Sequence, residues 1–248
     1  MTSSKLKITK QIKKTKLMKK ILIFALLIIN SFASHSQNYE KFESNNKVGF
    51  KNKDGKIMIP ATFHAAWNKF SDGLVGVHNG KKWGYIDSTG KLIIPYKYDE
   101  VSEFCGGVAL VYVLDRKNYD NDRMGCVDKT GKEIIPTIYY RLVYTCGTGD
   151  SYSPIGTFLA KSKTGEGVLS HFGNIRIPLI YNIKEYIHHG ISSFFIVQKD
   201  GKFGTIDDMG KMIIPFKYDK IEDYGSRGFL IVKLKEKEGH VDYSGNEL

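Results

Sequence analysis

Pairs of glycines six residues apart recur through most of the chain, and they constrain its fold more than any other sequence feature. The six pairs are Gly49 and Gly55, Gly84 and Gly90, Gly125 and Gly131, Gly167 and Gly173, Gly204 and Gly210, and Gly239 and Gly245. Five of the pairs are followed after five residues by a proline and then, three residues later, by an aromatic residue. Successive first glycines are 35, 41, 42, 37 and 35 residues apart, a period typical of solenoids, propellers and other repeat arrays.

The clearest copy of the unit begins with a short predicted strand, Trp83 to Ile86. Gly84 leaves a gap on one face of this strand, where a neighbouring backbone or ring can approach. Asp87 and Gly90 then bound a predicted turn. The carboxylate accepts a backbone N–H, and Gly90 takes the positive φ of a type I turn with a bulge.

The second half of the unit is a second strand with a proline stop. Ile94 occupies a predicted core position, and Pro95 ends the strand because it has no N–H to donate to the sheet. We expect Tyr98 to pack over the next unit with its hydroxyl at the rim. Third strands are predicted at 74–77, 108–113, 157–160, 194–197 and 229–234.

This pattern resembles the WG-repeat family of bacterial proteins, also called the KWG-repeat family. The residues that fit best are Trp83, Gly84, Asp87, Gly90, Ile94, Pro95, Tyr98 and Asp99, and 203–219 is the second-best copy. In the other units the tryptophan is replaced by Val48, Met124, Glu166, Phe203 and Glu238. The resemblance covers residues 47–248 and implies tandem β-hairpin units that serve as a module for binding or display, with no established chemistry.

The predicted fold is therefore all-β, with about five and a half stacked hairpin units. The units lie near 47–81, 82–123, 124–165, 166–202 and 203–237, with a partial unit at 238–248. We favour an open twisted array or solenoid. A closed propeller-like ring is the alternative.

The first 36 residues read as a secretory signal peptide, with translation starting at Met1 or at Met18. The apolar run 21–29 is shorter than the roughly 20 residues that span a bilayer. We expect cleavage before Gln37 and an exported protein, periplasmic or extracellular, with no stable membrane insertion after cleavage.

Removing this segment changes the charge argument. Eight lysines lie in residues 1–20, so the net charge of +11 falls to +3 for the mature chain. A basic patch that binds nucleic acid must survive processing, and we therefore expect no nucleic-acid partner.

Two insertions, 114–123 and 146–154, explain the longest repeat spacings. In repeat arrays, insertions form loops on one face, often the binding face. The candidate binding residues are Tyr119, Asp120, Asp122, Arg123, Asp150 and Tyr152. We expect a monomer that binds an unidentified protein or glycan, although solvated loops without a ligand would have the same composition.

No catalytic, metal or cofactor motif is found. Each turn has one regular carboxylate, whereas Ca²⁺ takes about six to eight oxygens, and the histidines lack zinc-ligand spacing. We therefore expect no cofactor and no enzymatic activity. The alternative is a secreted glycan hydrolase in which Asp120 and Asp150 are brought to the separation of about 5–10 Å that an acid and a base require.

The three cysteines leave one thiol unpaired. Cys105 and Cys146 each follow their unit's proline by ten residues, so they are equivalent positions in adjacent units. A disulfide between them is possible in an oxidising compartment if the loops approach closely enough. Cys126 would then be the buried free thiol.

Overall fold

The computed structural model describes residues 39–145, 156–189 and 192–248. These residues form antiparallel strands and two three-residue 3-10 helices, Tyr119–Asn121 and Gly225–Arg227. In this part of the chain, no helix is long and apolar enough to cross a membrane. The predicted all-β class is confirmed.

The strands form six successive antiparallel layers. Layer 1 has β1 (Glu40–Ser44), β2 (Lys47–Lys51) and β3 (Ile57–Phe63), and layer 2 has β4 (Ala65–Ala66), β5 (Leu74–His78), β6 (Trp83–Asp87) and β7 (Leu92–Tyr98). Layer 3 has β8 (Glu100–Val101), β9 (Val108–Val113), β10 (Arg123–Asp128) and β11 (Glu133–Tyr139). Layer 4 has β12 (Arg141–Tyr144), β13 (Thr157–Lys161), β14 (Glu166–Ser170) and the first part of β15 (Ile175–His189). Layer 5 has the rest of β15 with β16 (Ser192–Lys199), β17 (Lys202–Asp207) and β18 (Met212–Tyr218), and layer 6 has β19 (Lys220–Asp223), β20 (Phe229–Leu234) and β21 (Lys237–Asp242).

Layers 4 and 5 share one long strand. β15 pairs with β14 up to Tyr181 and with β16 from Asn182 onward, so the two layers form one seven-stranded sheet. Each sequence unit supplies the last two strands of one layer and the first two of the next. The units are therefore interlocked along the chain.

The five predicted third strands are present, but each layer from the second onward also has a first strand that the sequence did not predict. In layer 2 this strand has only two residues, Ala65 and Ala66. A strand so short cannot show the alternation of apolar and polar residues by which strands are recognised.

The predicted turn at Asp87 and Gly90, which joins β6 to β7, is confirmed. Asp87 Oδ1 accepts hydrogen bonds from the N–H of Thr89 at 2.8 Å and of Lys91 at 3.0 Å. The Gly90 N–H donates to the Asp87 carbonyl at 3.0 Å, and Gly90 has φ +87°. The aspartate therefore fixes the turn, as its position in the repeat indicated.

Gly84 is required by a bulge in the neighbouring strand. Trp83 pairs with Tyr98 and Tyr85 pairs with Ile94, so β7 has two extra residues around Pro95. The predicted strand end at Pro95 was wrong, because β7 continues to Tyr98 and Pro95 lies in the bulge, where the missing N–H costs no ladder hydrogen bond. A Cβ atom at position 84 would lie 2.5 Å from the Ile94 carbonyl oxygen. The predicted close approach of a neighbouring backbone is thus confirmed.

The core lies between the layers. Each of the five hydrophobic clusters of the described residues spans two successive layers. Between layers 2 and 3, Tyr85 and Tyr98 pack with Val101 and Phe104. Tyr98 packs against the next layer as predicted, but the prediction of a rim hydroxyl was wrong, because its oxygen is buried.

The two terminal faces carry polar or charged residues at places where layer 2 has buried residues. Val75 and Ile86 of layer 2 are paired, buried and packed on layer 1. The same register pairs Glu40 with Lys51 in layer 1, where the two form an ion pair of 3.8 Å. On the outer face of layer 6, the exposed His240 holds the place of the buried Tyr85 of layer 2. Polar outer faces are expected of the capping units of an open array.

Two of the three cysteines lie among the described residues. Cys126 is a free thiol, fully buried between layers 3 and 4, and burial raises its pKa to about 12. Cys105 is disulfide-bonded. Cys146, its predicted partner, lies outside the described residues, so the pairing stays a prediction.

Candidate binding surface

The first predicted binding loop, 114–123, is held by its own hydrogen bonds. The Asp115 N–H donates to Asp122 Oδ1 at 2.8 Å, and the Asn121 amide donates to Asp115 Oδ2 at 2.9 Å. Tyr119 lies in the 3-10 helix with its side chain 80% exposed. Asp120 and Asn121 are also exposed, so the loop presents Tyr119 and Asp120 of the predicted binding residues to solvent.

Arg123 also stabilises this loop. Its Nη1 donates to the carbonyl oxygens of Asp120 and Asp122 at 2.8 and 2.7 Å. Its guanidinium lies 4.0 Å from the centroid of the Tyr140 ring, a cation–π contact. Arg123 therefore stabilises the loop, and its predicted role in ligand binding stays a prediction.

The two insertions leave the sheet at opposite edges. The loop 114–122 joins the second and third strands of layer 3, an edge that we call the lower edge. The chain on either side of the second insertion, Thr145 and Gly156, lies between the first and second strands of layer 4, at the upper edge. Asp150 and Tyr152 lie outside the described residues. The expectation of one shared loop face was wrong, because antiparallel strands place alternate connections at opposite edges.

A cluster of aromatic and imidazole rings lies at the lower edge of layer 2. It contains His64, Trp67, His78 and Trp83, which we call the indole cluster. The two indole centroids are 6.1 Å apart with ring planes at 34°, and His78 is 5.2 Å from Trp83. Trp67 is 38% exposed. Both tryptophans of the chain are therefore at one surface site.

The position of Trp67 depends on a glycine that does not belong to the repeat. A Cβ atom at Gly76, directly across the sheet, would lie 2.4 Å from Trp67 Cδ1. The equivalent cross-strand pairs in the later layers are Ser102 with Leu110, Val143 with Leu159, Glu185 with Ile196, and Glu222 with Ile231. Layer 2 therefore departs from the repeat at both members of this pair, and the two departures fit each other.

The repeat gives a second contrast at His78 and Trp83. The residues paired in the same register are Lys161 with Glu166 in layer 4 and Lys233 with Glu238 in layer 6. Both are ion pairs, at 3.5 and 3.1 Å. Rings are therefore not needed at this place to build a layer.

The hydrogen bond that His78 accepts requires a neutral imidazole ring. Its Nδ1 accepts a hydrogen bond from the Gly80 N–H at 3.2 Å, which leaves the proton on Nε2. Burial and the neighbouring His64 lower the pKa of His78. Near neutral pH the cluster therefore presents an uncharged imidazole beside its indoles.

Asp99 connects the indole cluster with the first insertion. Lys82, next to Trp83, donates to Asp99 Oδ1 at 2.7 Å, and the Leu114 N–H donates to Oδ2 at 3.1 Å. Burial acts to raise the pKa of Asp99, but these two hydrogen bonds and the Lys82 charge lower it overall. The lower edge of layers 2 and 3 is thus one continuous surface.

Trp67, His64 and His78 were missed because they lie outside the fixed repeat offsets. The sequence feature that could have indicated them is Gly76, a glycine outside the repeated pairs that lies near Trp67, one of the two tryptophans of the chain. Of the aromatic positions of the repeat, Tyr98 and Tyr218 are buried, and Phe63, Tyr139 and Tyr181 are half-buried. In the part of the chain that is described, no three His, Cys, Asp or Glu side chains are grouped to hold a metal ion.

The family model for the WG containing repeat matches residues 49–83, 83–115, 124–144 and 203–237. No curated protein matches the chain. Among solved structures, a eukaryotic initiation factor is similar at 14% identity and a TM-score of 0.40, with 84% of this chain and 61% of that chain covered. The chain thus spans less than two thirds of that structure's length.

Two further structures are similar at lower scores. The AfRom2 CNH domain has 9% identity and a TM-score of 0.32, with 86% of this chain and 83% of that chain covered. Regucalcin from Agrobacterium tumefaciens, a calcium-binding protein, has 13% identity and a TM-score of 0.29, with 77% of each chain covered. These likenesses are too distant to bear on function. The repeat matches, together with the Gly84 bulge and the Asp87 turn, show that the chain belongs to the WG-repeat family.

Proposed function

We propose that this chain is an exported, non-catalytic binding module that holds its partner at the lower edge of layers 2 and 3. The signal-peptide pattern of residues 1–36 supports export. The repeat itself supports a scaffold, since its recurring residues serve turns, bulges and the interlayer core.

The observation that carries the proposal is the packing of Trp67 over Gly76. Within a repeat protein, the other layers act as internal controls for what the fold needs. Residues that depart from the repeat together, and that expose a large aromatic surface, are candidates for binding. The indole cluster meets both conditions.

The first test is partner capture with the exported protein immobilised. We expect Trp67→Ala to retain much less partner material than the unchanged protein, because the exposed indole is removed. The matched control is Phe172→Ala, which removes an aromatic residue that is 76% exposed in a turn at the upper edge of layer 4. Equal retention by the unchanged protein and Trp67→Ala would contradict the proposed surface.

Export has its own test. N-terminal sequencing of the protein recovered outside the cytoplasm should give a start near Gln37. A protein that retains the apolar run 21–29 would show that this segment is an anchor.

A further inference from the structure

We infer that the indole cluster binds a neutral oligosaccharide, with the faces of its sugar rings against Trp67 and Trp83. This inference rests on the proposed binding function and names the chemical class of the ligand. Its first support is geometric. The two indole centroids are 6.1 Å apart with ring planes tilted by 34°, and both side chains are partly exposed, so two neighbouring apolar ring surfaces are accessible at one place.

The faces of a pyranose ring are lined by C–H groups, and its edges carry hydroxyls. The negative face of an aromatic ring attracts such C–H groups, and the apolar contact adds to this attraction. Trp67 and Trp83 thus match the apolar faces of a sugar.

The groups around the indoles match the hydroxyl edges. His78 Nε2 carries a proton, because Nδ1 accepts from the Gly80 N–H. The Lys82 ammonium gives one hydrogen bond to Asp99, and its other protons are available for hydroxyl oxygens. Small-molecule sites commonly combine apolar walls with a few such polar groups.

The same surroundings argue against a protein ligand and against a strongly charged glycan. The centres of protein interfaces are depleted in Lys and Asp, yet Lys82 and Asp99 lie directly beside Trp83. Their charges offset each other at 2.7 Å, which leaves little local field to attract a polyanion.

The site is also rigid before any ligand binds. Trp67 is seated against Gly76, and Trp83 contacts both Trp67 and His78. Less side-chain freedom is lost when a ligand binds to groups already held in place.

Intrinsic fluorescence tests this inference directly, because both tryptophans of the chain are in the cluster. The purified chain is titrated with the hexasaccharides of β-1,4-linked N-acetylglucosamine and of β-1,4-linked glucose. We expect a saturable change in emission with at least one of them, at a Kd of about 1 mM or tighter. Trp67→Ala, read through Trp83, should weaken this binding by about tenfold or more, and Phe172→Ala should leave it unchanged.

Three outcomes would overturn the inference. No saturable change with either hexasaccharide would exclude the ligand class, and a continued loss of partner capture by Trp67→Ala would show that the surface itself is still correct. Full binding by Trp67→Ala would exclude the site. An equal loss in Trp67→Ala and Phe172→Ala would show that binding does not depend on the indole cluster.

Discussion

The inner face of layer 2 and the outer face of layer 1 occupy the same places in the repeat but have opposite chemistry. On the inner face, Val75 and Ile86 are 2% and 1% exposed and pack on layer 1. On the outer face, Glu40 and Lys51 take these places and form an ion pair at the surface. The repeat therefore specifies the shape of a layer, while the residues between its fixed positions specify whether that layer has a neighbour.

Layer 6 shows the same rule at the other end. Its inner residues Leu230, Val232 and Val241 are buried against layer 5. Its outer face instead has the exposed His240 at the place where layer 2 has the buried Tyr85. Stability is thus concentrated at the junctions between layers, as in other repeat arrays.

Exchange of the charged and apolar residues between these faces should give the largest change in the free energy of unfolding. We expect Ile86→Lys to lower the free energy of unfolding by about 4 kcal/mol, because it buries an unpaired ammonium and removes core packing. The opposite change, Lys51→Ile, should alter it by less than about 1 kcal/mol, since that site is at the surface. Urea unfolding measures both, and similar losses would show that layer 1 has a covering neighbour.

Gly84 and Gly239 give the next contrast, because they hold the same place in layers 2 and 6. At Gly84 a Cβ atom would meet the Ile94 carbonyl oxygen at 2.5 Å, whereas at Gly239 the nearest atom is Val232 Cγ2 at 3.8 Å. Gly84→Ala should therefore destabilise by about 2–3 kcal/mol, and Gly239→Ala by less than about 0.5 kcal/mol. Thermal melts of the two variants measure this difference. Equal shifts in Tm would contradict the role assigned to the bulge.

Much of this architecture was predictable from the sequence, since it depends on local chemistry. Gly84, Asp87 and Gly90 act within one hairpin, so their spacing is enough to predict the turn and the close approach. The short strand Ala65–Ala66 was not predictable, because its pairing with β5 is set by the fold.

The candidate site was only partly predictable. Insertion lengths indicated the loop that presents Tyr119, but they did not indicate the contacts of Arg123 with the loop carbonyls and with Tyr140. Trp67 meets Gly76 across two strands. The fit between them is visible only when the register is known.

Two ion pairs extend the contrast between interior and ends. Asp99 is 9% exposed and receives hydrogen bonds from Lys82 and from the Leu114 N–H, whereas Glu238 is 51% exposed and pairs with Lys233. We expect Asp99→Ala to destabilise by about 1–2 kcal/mol, because it removes the acceptor of the partly buried Leu114 N–H and the partner of the Lys82 ammonium. Glu238→Ala should cost less than about 0.5 kcal/mol. Chemical unfolding of the two variants measures this, and a larger loss in Glu238→Ala would contradict the proposed cap.

The smallest expected change in stability concerns the turns of layers 1 and 2, where Asn52 and Asp87 hold the same place in the repeat. Asn52 Oδ1 accepts from the N–H of Asp54 and of Lys56, the same pattern that Asp87 makes with Thr89 and Lys91. Burial acts to raise the pKa of Asp87, but its hydrogen bonds from Thr89 and Lys91 and the charge of Lys91 lower it overall.

Asp87 therefore adds stability that is present above its unfolded pKa of about 3.9 and is lost as the pH falls through its lower folded pKa. Asp87→Asn keeps the acceptor and removes the titration. We expect a change below about 1 kcal/mol at pH 7 and a smaller loss of stability between about pH 5 and pH 2 than in the unchanged protein. Urea midpoints measured across this range test it, and identical pH profiles would show that the Asp87 charge contributes nothing beyond the amide that layer 1 already uses.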